Sequence, residues 1–272
     1  MIFNFEGYDQ LLPLVTNSLI VGALLAVVGG LVGVFVINRD MSFAVHGISE
    51  LSFAGASITL LLGGNVVFGS VIGSLVAAIV IGIMGAKAKE RNSITAVLMP
   101  FGLGLGILAL SLYQGRASNK FGLLTGQIVA VDDPQLISIS VIAAIVVVTL
   151  LIVWRPLTFA SIDSEVAAAR GVATRSLSVL FMIILGLAVA ASIQVVGALL
   201  VLSLLVTPAA AAVRVSRSPF VIPILSVVFA LVSVIGGILL ALGSSLPISP
   251  YVTSISFLIY LICRAIDWVR SR

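Results

Sequence analysis

Residues 136–154 read LISISVIAAIVVVTLLIVW, a stretch without a single charged side chain. After its first few positions it does not alternate polar and apolar residues, as a strand of a transmembrane β-barrel would. A helix of about 20 apolar residues crosses the roughly 30 Å hydrocarbon core of a bilayer. This stretch therefore predicts a transmembrane helix, and similar stretches fill most of the chain.

The composition places the whole chain in a membrane. Of its 272 residues, 61% are hydrophobic and 9% are charged, whereas about 25% of the residues in a soluble domain are charged. The mean hydropathy is +1.31. Because helices satisfy their own backbone hydrogen bonds in lipid, we expect an all-α polytopic membrane protein with a single transmembrane domain over residues 1–272.

The apolar stretches predict about nine transmembrane helices, with eight as the alternative. The two counts differ at residues 177–213, which could form one very long helix or two shorter ones broken around Ser192, Gln194 and Gly197. The nine predicted spans are 12–37, 41–62, 66–86, 94–113, 136–154, 177–193, 195–213, 220–242 and 251–266.

The basic residues favour two spans in 177–213 and also orient the bundle, because Lys and Arg gather in cytoplasmic loops. With two spans there, all but Arg116 and Lys120 of the 14 basic residues lie on one side. This predicts an external N-terminus and a cytoplasmic C-terminus. The residues on the predicted cytoplasmic side are Arg39, Lys87, Lys89, Arg91, Arg155, Arg170, Arg175, Arg214, Arg217, Arg264, Arg270 and Arg272.

Several motifs of catalytic proteins are missing from the sequence. It has no Gly-x-x-x-x-Gly-Lys-Ser/Thr phosphate loop, so the chain is not expected to hydrolyse ATP by itself. It also lacks the Cys-x-x-Cys, His-Glu-x-x-His and Gly-x-Ser-x-Gly patterns. The net charge is +4, but the basic residues are spread among loop ends, so we expect no nucleic-acid partner. These absences favour a transport subunit without an intrinsic cofactor, in contact with membrane lipid.

The second predicted span begins MSFAVHGISELSFAG (41–55) and carries the two most unusual residues. His46 is the only histidine in the chain, and Glu50 is the only acidic residue inside a predicted span. Their spacing of four places both side chains on one helix face, where an ionisable group is costly and indicates a functional site. Imidazole and carboxylate suit Zn²⁺, Mn²⁺ or Fe²⁺. The alternative is a polar pair that hydrogen-bonds between helices.

The polar segment RPLTFASIDSEVAAARGVATRS (155–176) predicts a short, well-capped helix. Its N-terminus can be capped by Ser161, Asp163 or Ser164, and Gly171 supplies the left-handed position at its C-terminus. A helix specified this well on the cytoplasmic side indicates a docking surface. The alternative is a solvated linker helix.

Taken in order, these segments resemble a known transporter family. IDSEVAAARGV (162–172) is similar to the cytoplasmic coupling helix of bacterial ABC importer permeases, and the chain more narrowly resembles the zinc and manganese permease family of those importers. The resemblance covers about residues 15–265. It also rests on MSFAVHGISELSFAG, KAKERNSITAVLMPFGLGLGILALS, FGLLTGQIVAV and VVGALLVLSLLVTPAAAA.

The resemblance implies a homodimeric permease in the bacterial plasma membrane. It also implies two separate cytoplasmic ABC ATPase subunits and an extracellular metal-binding protein that delivers the ion. The coupling segment would be residues 161–172, where the positions that match the family are Asp163, Glu165, Ala167 and Gly171.

The metal site that the resemblance implies consists of His46 and Glu50. In this family an Asp is commonly followed four residues later by a His, whereas here the imidazole precedes the acid. Two ligands are too few for a selective site, but a two-fold axis beside the second span would bring together two His and two Glu.

The expected function is ATP-driven import of zinc, manganese or iron by alternating access. Two alternatives remain open at this point. One is an ABC permease for a metal chelate such as a siderophore or a cobalamin, which needs a wide cavity and no direct ligands. The other is an ion-coupled secondary transporter that uses His46 and Glu50 as a proton relay.

Overall fold

The computed structural model describes residues 12–85, 88–115, 123, 131–243 and 248–270. In those ranges, eight helices are long and apolar enough to cross a membrane, which confirms the all-α membrane fold. The helices in chain order are α1 (Thr16–Asn38), α2 (Ser42–Leu61), α3 (Val66–Met84), α4 (Ala88–Leu112), α5 (Asp133–Ile162), α6 (Ser164–Ala169), α7 (Thr174–Val196), α8 (Val201–Leu205), α9 (Thr207–Val215), α10 (Val221–Leu242) and α11 (Ile248–Arg270).

The predicted break within residues 177–213 lies at Gly197. This residue has φ +81° and ψ 160°, a backbone conformation that is essentially restricted to glycine. After it, the chain forms a 3₁₀ turn (Ala198–Leu200) and the short helices α8 and α9. The seventh predicted span (195–213) is therefore an interrupted segment over 198–215, in addition to the eight long helices of the described residues.

The arginines show that the interrupted segment returns the chain to the face from which α7 starts. Arg39, Arg91 and Arg175 line one cavity, Arg217 lines another, and the two cavities share Ser161. Since Arg175 stands at the start of α7 and Arg217 follows the interrupted segment, both lie on this basic face. The charge argument for two spans is thus confirmed for these residues. Lys87, Arg116, Lys120 and Arg272 lie outside the described ranges.

The centre of the bundle is formed by α1, α2 and α7. Inside the chain, 67% of the best spanning window of α1 and of α2 is buried, and 78% of that of α7. The corresponding fractions are 28% for α4, 22% for α5 and 17% for α11, whose outer faces carry exposed apolar side chains. The helix that carries His46 and Glu50 is thus a central one.

Small residues allow α2 and α3 to approach closely. A Cβ atom built on Gly55 would collide with the carbonyl oxygen of Gly69, so only glycine fits at this helix crossing. The Ser52 hydroxyl donates a hydrogen bond to the Ser70 carbonyl oxygen at 2.9 Å. Close packing and such hydrogen bonds hold helices together in lipid, where apolar burial between helices gives little driving force.

The Gly55→Ala substitution is expected to destabilise the bundle by about 1–3 kcal/mol, because the added methyl group forces α3 away from α2. Gly236→Ala in α10 is the matched control, since the added methyl group there meets only the flexible end of Ile255, at 3.2 Å. Thermal unfolding of the purified permease in detergent should show a lower melting temperature for Gly55→Ala than for Gly236→Ala. Equal melting temperatures would contradict close packing at Gly55.

Candidate functional site

His46 and Glu50 lie one turn apart on α2. The distance between His46 Nε2 and Glu50 Oε1 is 3.8 Å, which is too long for a direct hydrogen bond. The Glu50 side chain is 4% exposed and that of His46 is 29% exposed. His46 Nδ1 and Glu50 Oε2 are buried without a hydrogen-bond partner. Within the described residues, therefore, the pair does not act as hydrogen-bonded glue between helices.

One side of the pair is covered by α4. A Cβ atom on Gly102 would lie 2.9 Å from the carbonyl carbon of Glu50, and one on Gly47 would lie 2.5 Å from the Thr95 methyl group. Gly47 and Gly102 therefore allow α2 and α4 to pack closely. They place α4 directly against the backbone at Glu50, while the His46 side chain stays partly exposed at the surface of the single chain.

The pair offers one imidazole and one carboxylate as possible metal ligands. In the part of the chain that the structure describes, no group of three or more His, Cys, Asp or Glu side chains could hold a metal ion. A single chain therefore supplies only half of the four ligands that a tetrahedral site uses.

Ser49 connects α2 to the interrupted segment. Its hydroxyl donates a hydrogen bond to the carbonyl oxygen of Ala198, directly after the break at Gly197, at 3.0 Å. Since Ser49 precedes Glu50 in α2, this hydrogen bond links the segment over 198–215 to the helix turn that carries the carboxylate.

Gln194 faces a cavity of about 340 Å³ at the end of the bundle opposite the basic face. Asn65 and Asp132 line the same cavity. The Gln194 side-chain amide donates to the Ala190 carbonyl oxygen at 3.3 Å, and its Oε1 is buried without a partner. Gln194 thus lines the cavity while its amide N–H group bonds to the backbone one turn earlier in α7.

The coupling segment contains the short helix that the sequence predicts. Of the three possible N-caps, Asp163 is the one used: its Oδ1 accepts from the backbone N–H groups of Glu165 and Val166 at 3.0 and 2.9 Å. Gly171 has φ +84°, which is the left-handed conformation expected of it. Arg170 stands at the C-cap of α6, one residue beyond the last turn.

Residues of the coupling segment face in different directions. Ala167 is fully buried against the bundle, whereas Glu165 is exposed and the Val166 side chain is 46% exposed. Ala167 can therefore only anchor α6, and Glu165 and Val166 form the part of the helix that a partner can reach.

Known proteins resemble this chain over nearly its whole length. Residues 12–267 match the ABC 3 transport family. The chain belongs to this family. It is 30% identical over 252 residues to the manganese import system permease protein ScaB of Streptococcus parasanguinis, covering 92% of this chain and 88% of ScaB.

A second relative is named for zinc instead of manganese. The chain is 27% identical over 225 residues to the high-affinity zinc uptake system membrane protein ZnuB of Haemophilus influenzae, covering 82% of this chain and 86% of ZnuB. The fold is similar to that of PsaBC from Streptococcus pneumoniae in complex with Fab, with a TM-score of 0.85 and 25% identity. That match covers 96% of this chain and 95% of the other.

Membership in the ABC 3 family confirms the predicted class of function. The chain is a membrane-embedded transport subunit, not an enzyme, and ATP hydrolysis belongs to a separate subunit. An ion-coupled secondary transporter, which was the alternative from another class, does not agree with this family.

In the sequence prediction Arg39 and Arg91 served only to orient the bundle, but in the structure their side chains are partly or largely buried. Arg91 is only 8% exposed and Arg39 is half-buried. The Arg91 guanidinium donates to the backbone carbonyl oxygens of Arg39 and Asp40 at 3.2 and 3.1 Å. The rule that places basic residues in cytoplasmic loops predicts the side of the membrane, but not whether the side chain points into the bundle.

Proposed function

We propose that this chain is the permease of an ATP-driven importer for a divalent metal ion, manganese or zinc. The observation that carries this proposal is the buried carboxylate of Glu50, whose Oε2 has no partner, beside His46 on a central helix. An unpaired carboxylate inside a membrane bundle is costly. A transported cation that binds there would offset this cost and use the imidazole as a second ligand.

The choice of manganese or zinc is supported by the names of the relatives together with the donor atoms. ScaB is named for manganese import and ZnuB for zinc uptake, and both metals accept imidazole nitrogen and carboxylate oxygen. Neither relative is named for iron, so the expectation is narrowed to these two metals. The reversed order of His46 and Glu50 presents the same two donor types on one helix face.

A second copy of the chain completes the proposed site. His46 is partly exposed at the surface of the single chain, and α4, which covers Glu50, is among the least buried helices. A two-fold axis beside α2 and α4 would bring two imidazoles and two carboxylates together. This number of ligands suits a tetrahedral or partly hydrated ion.

The proposed orientation places the basic face in the cytoplasm, the N-terminus outside and the C-terminus inside a bacterial plasma membrane. Two ABC ATPase subunits would then bind the exposed side of α6, one on each copy. A metal-binding delivery protein would bind the opposite face, where Gln194 lines its cavity.

Alternating access supplies the mechanism. Movement of the ATPases is received by α6 and passed to the bundle through Ala167, which is buried beneath that helix. The interrupted segment and its hydrogen bond to Ser49 then change the surroundings of Glu50. Because each chain gives only two ligands, the ion is held between two copies and is released when they separate.

Glu50→Gln is expected to reduce uptake of radioactive manganese or zinc to background, because the amide keeps the shape of the side chain but removes its charge. Binding of the metal to the purified permease should weaken at least about tenfold. The matched control is Ser57→Ala, which changes a buried residue of the same helix. Normal uptake by Glu50→Gln, at wild-type amounts in the membrane, would refute this site.

Glu165→Ala and Gly171→Ala are expected to uncouple ATP hydrolysis from transport. The first removes an exposed charge from α6, and the second strains a left-handed turn by about 1 kcal/mol. ATP hydrolysis and metal uptake are measured together in vesicles that contain the reconstituted complex. Ser176→Ala, an exposed residue outside the coupling segment, is the control.

In both variants, the amount of metal transported per ATP hydrolysed should decrease. The decrease is roughly tenfold if docking of the ATPase is weakened by about 1.4 kcal/mol. An unchanged ratio of metal to ATP in both variants would argue against a coupling role for α6, while leaving the metal site itself unaffected.

A further inference from the structure

A cavity of about 480 Å³ opens on the basic face of the bundle, between the α1–α2 turn, the end of α3, the start of α4 and the coupling segment. Three arginines line it: Arg39, Arg91 and Arg175. No carboxylate lines it among the described residues, although hydroxyl groups do. Those hydroxyl groups belong to Ser161, Ser164, Thr174 and Ser178.

The two inner arginines keep unused hydrogen-bond donors. Arg39 Nη2 donates to the Ser178 hydroxyl at 2.6 Å, but Arg39 Nη1 is buried without a partner. Arg91 donates through Nη2 to the backbone, but its Nε is also buried without a partner. In the described ranges, neither guanidinium lies within 4.0 Å of a carboxylate oxygen. Two buried N–H donors thus remain without a partner. The Arg91 charge is partly compensated by the nearby Asp40 carboxylate, whereas the Arg39 guanidinium lies 5.6 Å from the centre of the Phe181 ring.

The electrostatics of the cavity favour an anion. Burial, and next the positive charge of Arg91, lower the pKa of the Arg39 guanidinium below its ordinary value. Neighbouring like charges in a desolvated place raise the free energy of the bundle unless a negative group is present. Arginine forks bind phosphate and carboxylate oxygens through paired N–H donors.

The rim of the cavity indicates where the anion comes from. Ile83, at the end of α3, lines the cavity and is 58% exposed. A large exposed apolar residue on a membrane-spanning helix faces lipid, so the cavity borders the level of the lipid headgroups. Basic pockets between transmembrane helices on the cytoplasmic side are suited to anionic headgroups.

We propose that this cavity binds a phosphate group, presented by an anionic lipid headgroup or as free phosphate. Arg39 and Arg91 contact it from inside the bundle, and Arg175 contacts it from the start of α7. Because Ser161 and Ser164 line the same cavity and flank the cap residue Asp163, the bound phosphate also steadies the coupling segment. The cytoplasmic location rests on the proposed orientation, whereas the binding chemistry rests only on the cavity.

Native mass spectrometry of the purified full chain, released from nanodiscs of phosphatidylcholine with phosphatidylglycerol, tests this proposal. The wild type should retain phosphatidylglycerol in preference to phosphatidylcholine. Arg39→Gln and Arg175→Gln should each weaken that retention by about tenfold or more, since each removes charge-assisted hydrogen bonds. Arg155→Gln removes an exposed charge of the same face that does not line the cavity, and should leave retention unchanged.

Inorganic phosphate distinguishes the two sources. If free phosphate raises the melting temperature of the wild type and Arg155→Gln, but not of Arg39→Gln or Arg175→Gln, while phosphatidylglycerol is not retained, the ligand is soluble phosphate. Arg175 is exposed, so its variant should fold even if Arg39→Gln does not. The proposal is overturned if Arg39→Gln and Arg175→Gln both retain phosphatidylglycerol as the wild type does and respond to inorganic phosphate as the wild type does. Metal uptake is measured separately, so the two proposals can fail independently.

Discussion

The proposed function depends on Glu50, a buried carboxylate in the centre of a membrane bundle. One of its oxygens, Oε2, has no hydrogen-bond partner among the described residues. His46 lies 3.8 Å away on the same helix face and does not neutralise it through a hydrogen bond. Burial of such a group is tolerated where a cation binds. Gly102 of α4 packs closely against the Glu50 backbone, and the partly exposed imidazole is available to a second copy of the chain.

The two ends of the bundle, the basic face and the opposite face, have different functions in this proposal. One end carries the arginines, the coupling segment and the cavity proposed to bind phosphate, so the ATPases and the membrane surface would act there on the same few turns. The other end carries the cavity that Gln194 faces. The interrupted segment after Gly197 lies between them and contacts α2 through Ser49. Short helices joined by breaks can shift more easily than one long helix, which suits a part that moves during transport.

Much of the fold could be predicted from sequence, because apolar length and charge asymmetry act along the chain itself. These two features predicted the long helices and a break around Ser192, Gln194 and Gly197, and the capping pattern restricted the N-cap of α6 to three residues. Which of them caps the helix depends on backbone geometry, and only the structure shows that it is Asp163. The direction of side chains could not be predicted from the sequence. The burial of Arg39, Arg91 and Ala167 is set by neighbouring helices that are distant in sequence. For the same reason, the spacing of His46 and Glu50 predicted a shared face but not the unsatisfied carboxylate oxygen.

X-ray absorption spectroscopy of the purified permease loaded with manganese or zinc, combined with the count of metal ions per chain, tests the central claim most directly. A site shared across a two-fold axis predicts one ion for every two chains, with imidazole nitrogen and carboxylate oxygen in its first coordination shell. His46→Ala should remove the imidazole contribution, and Glu50→Gln should abolish stoichiometric loading. One tightly bound ion per chain, or a ligand shell without imidazole in the wild type, would contradict a metal site formed by His46 and Glu50 of two copies.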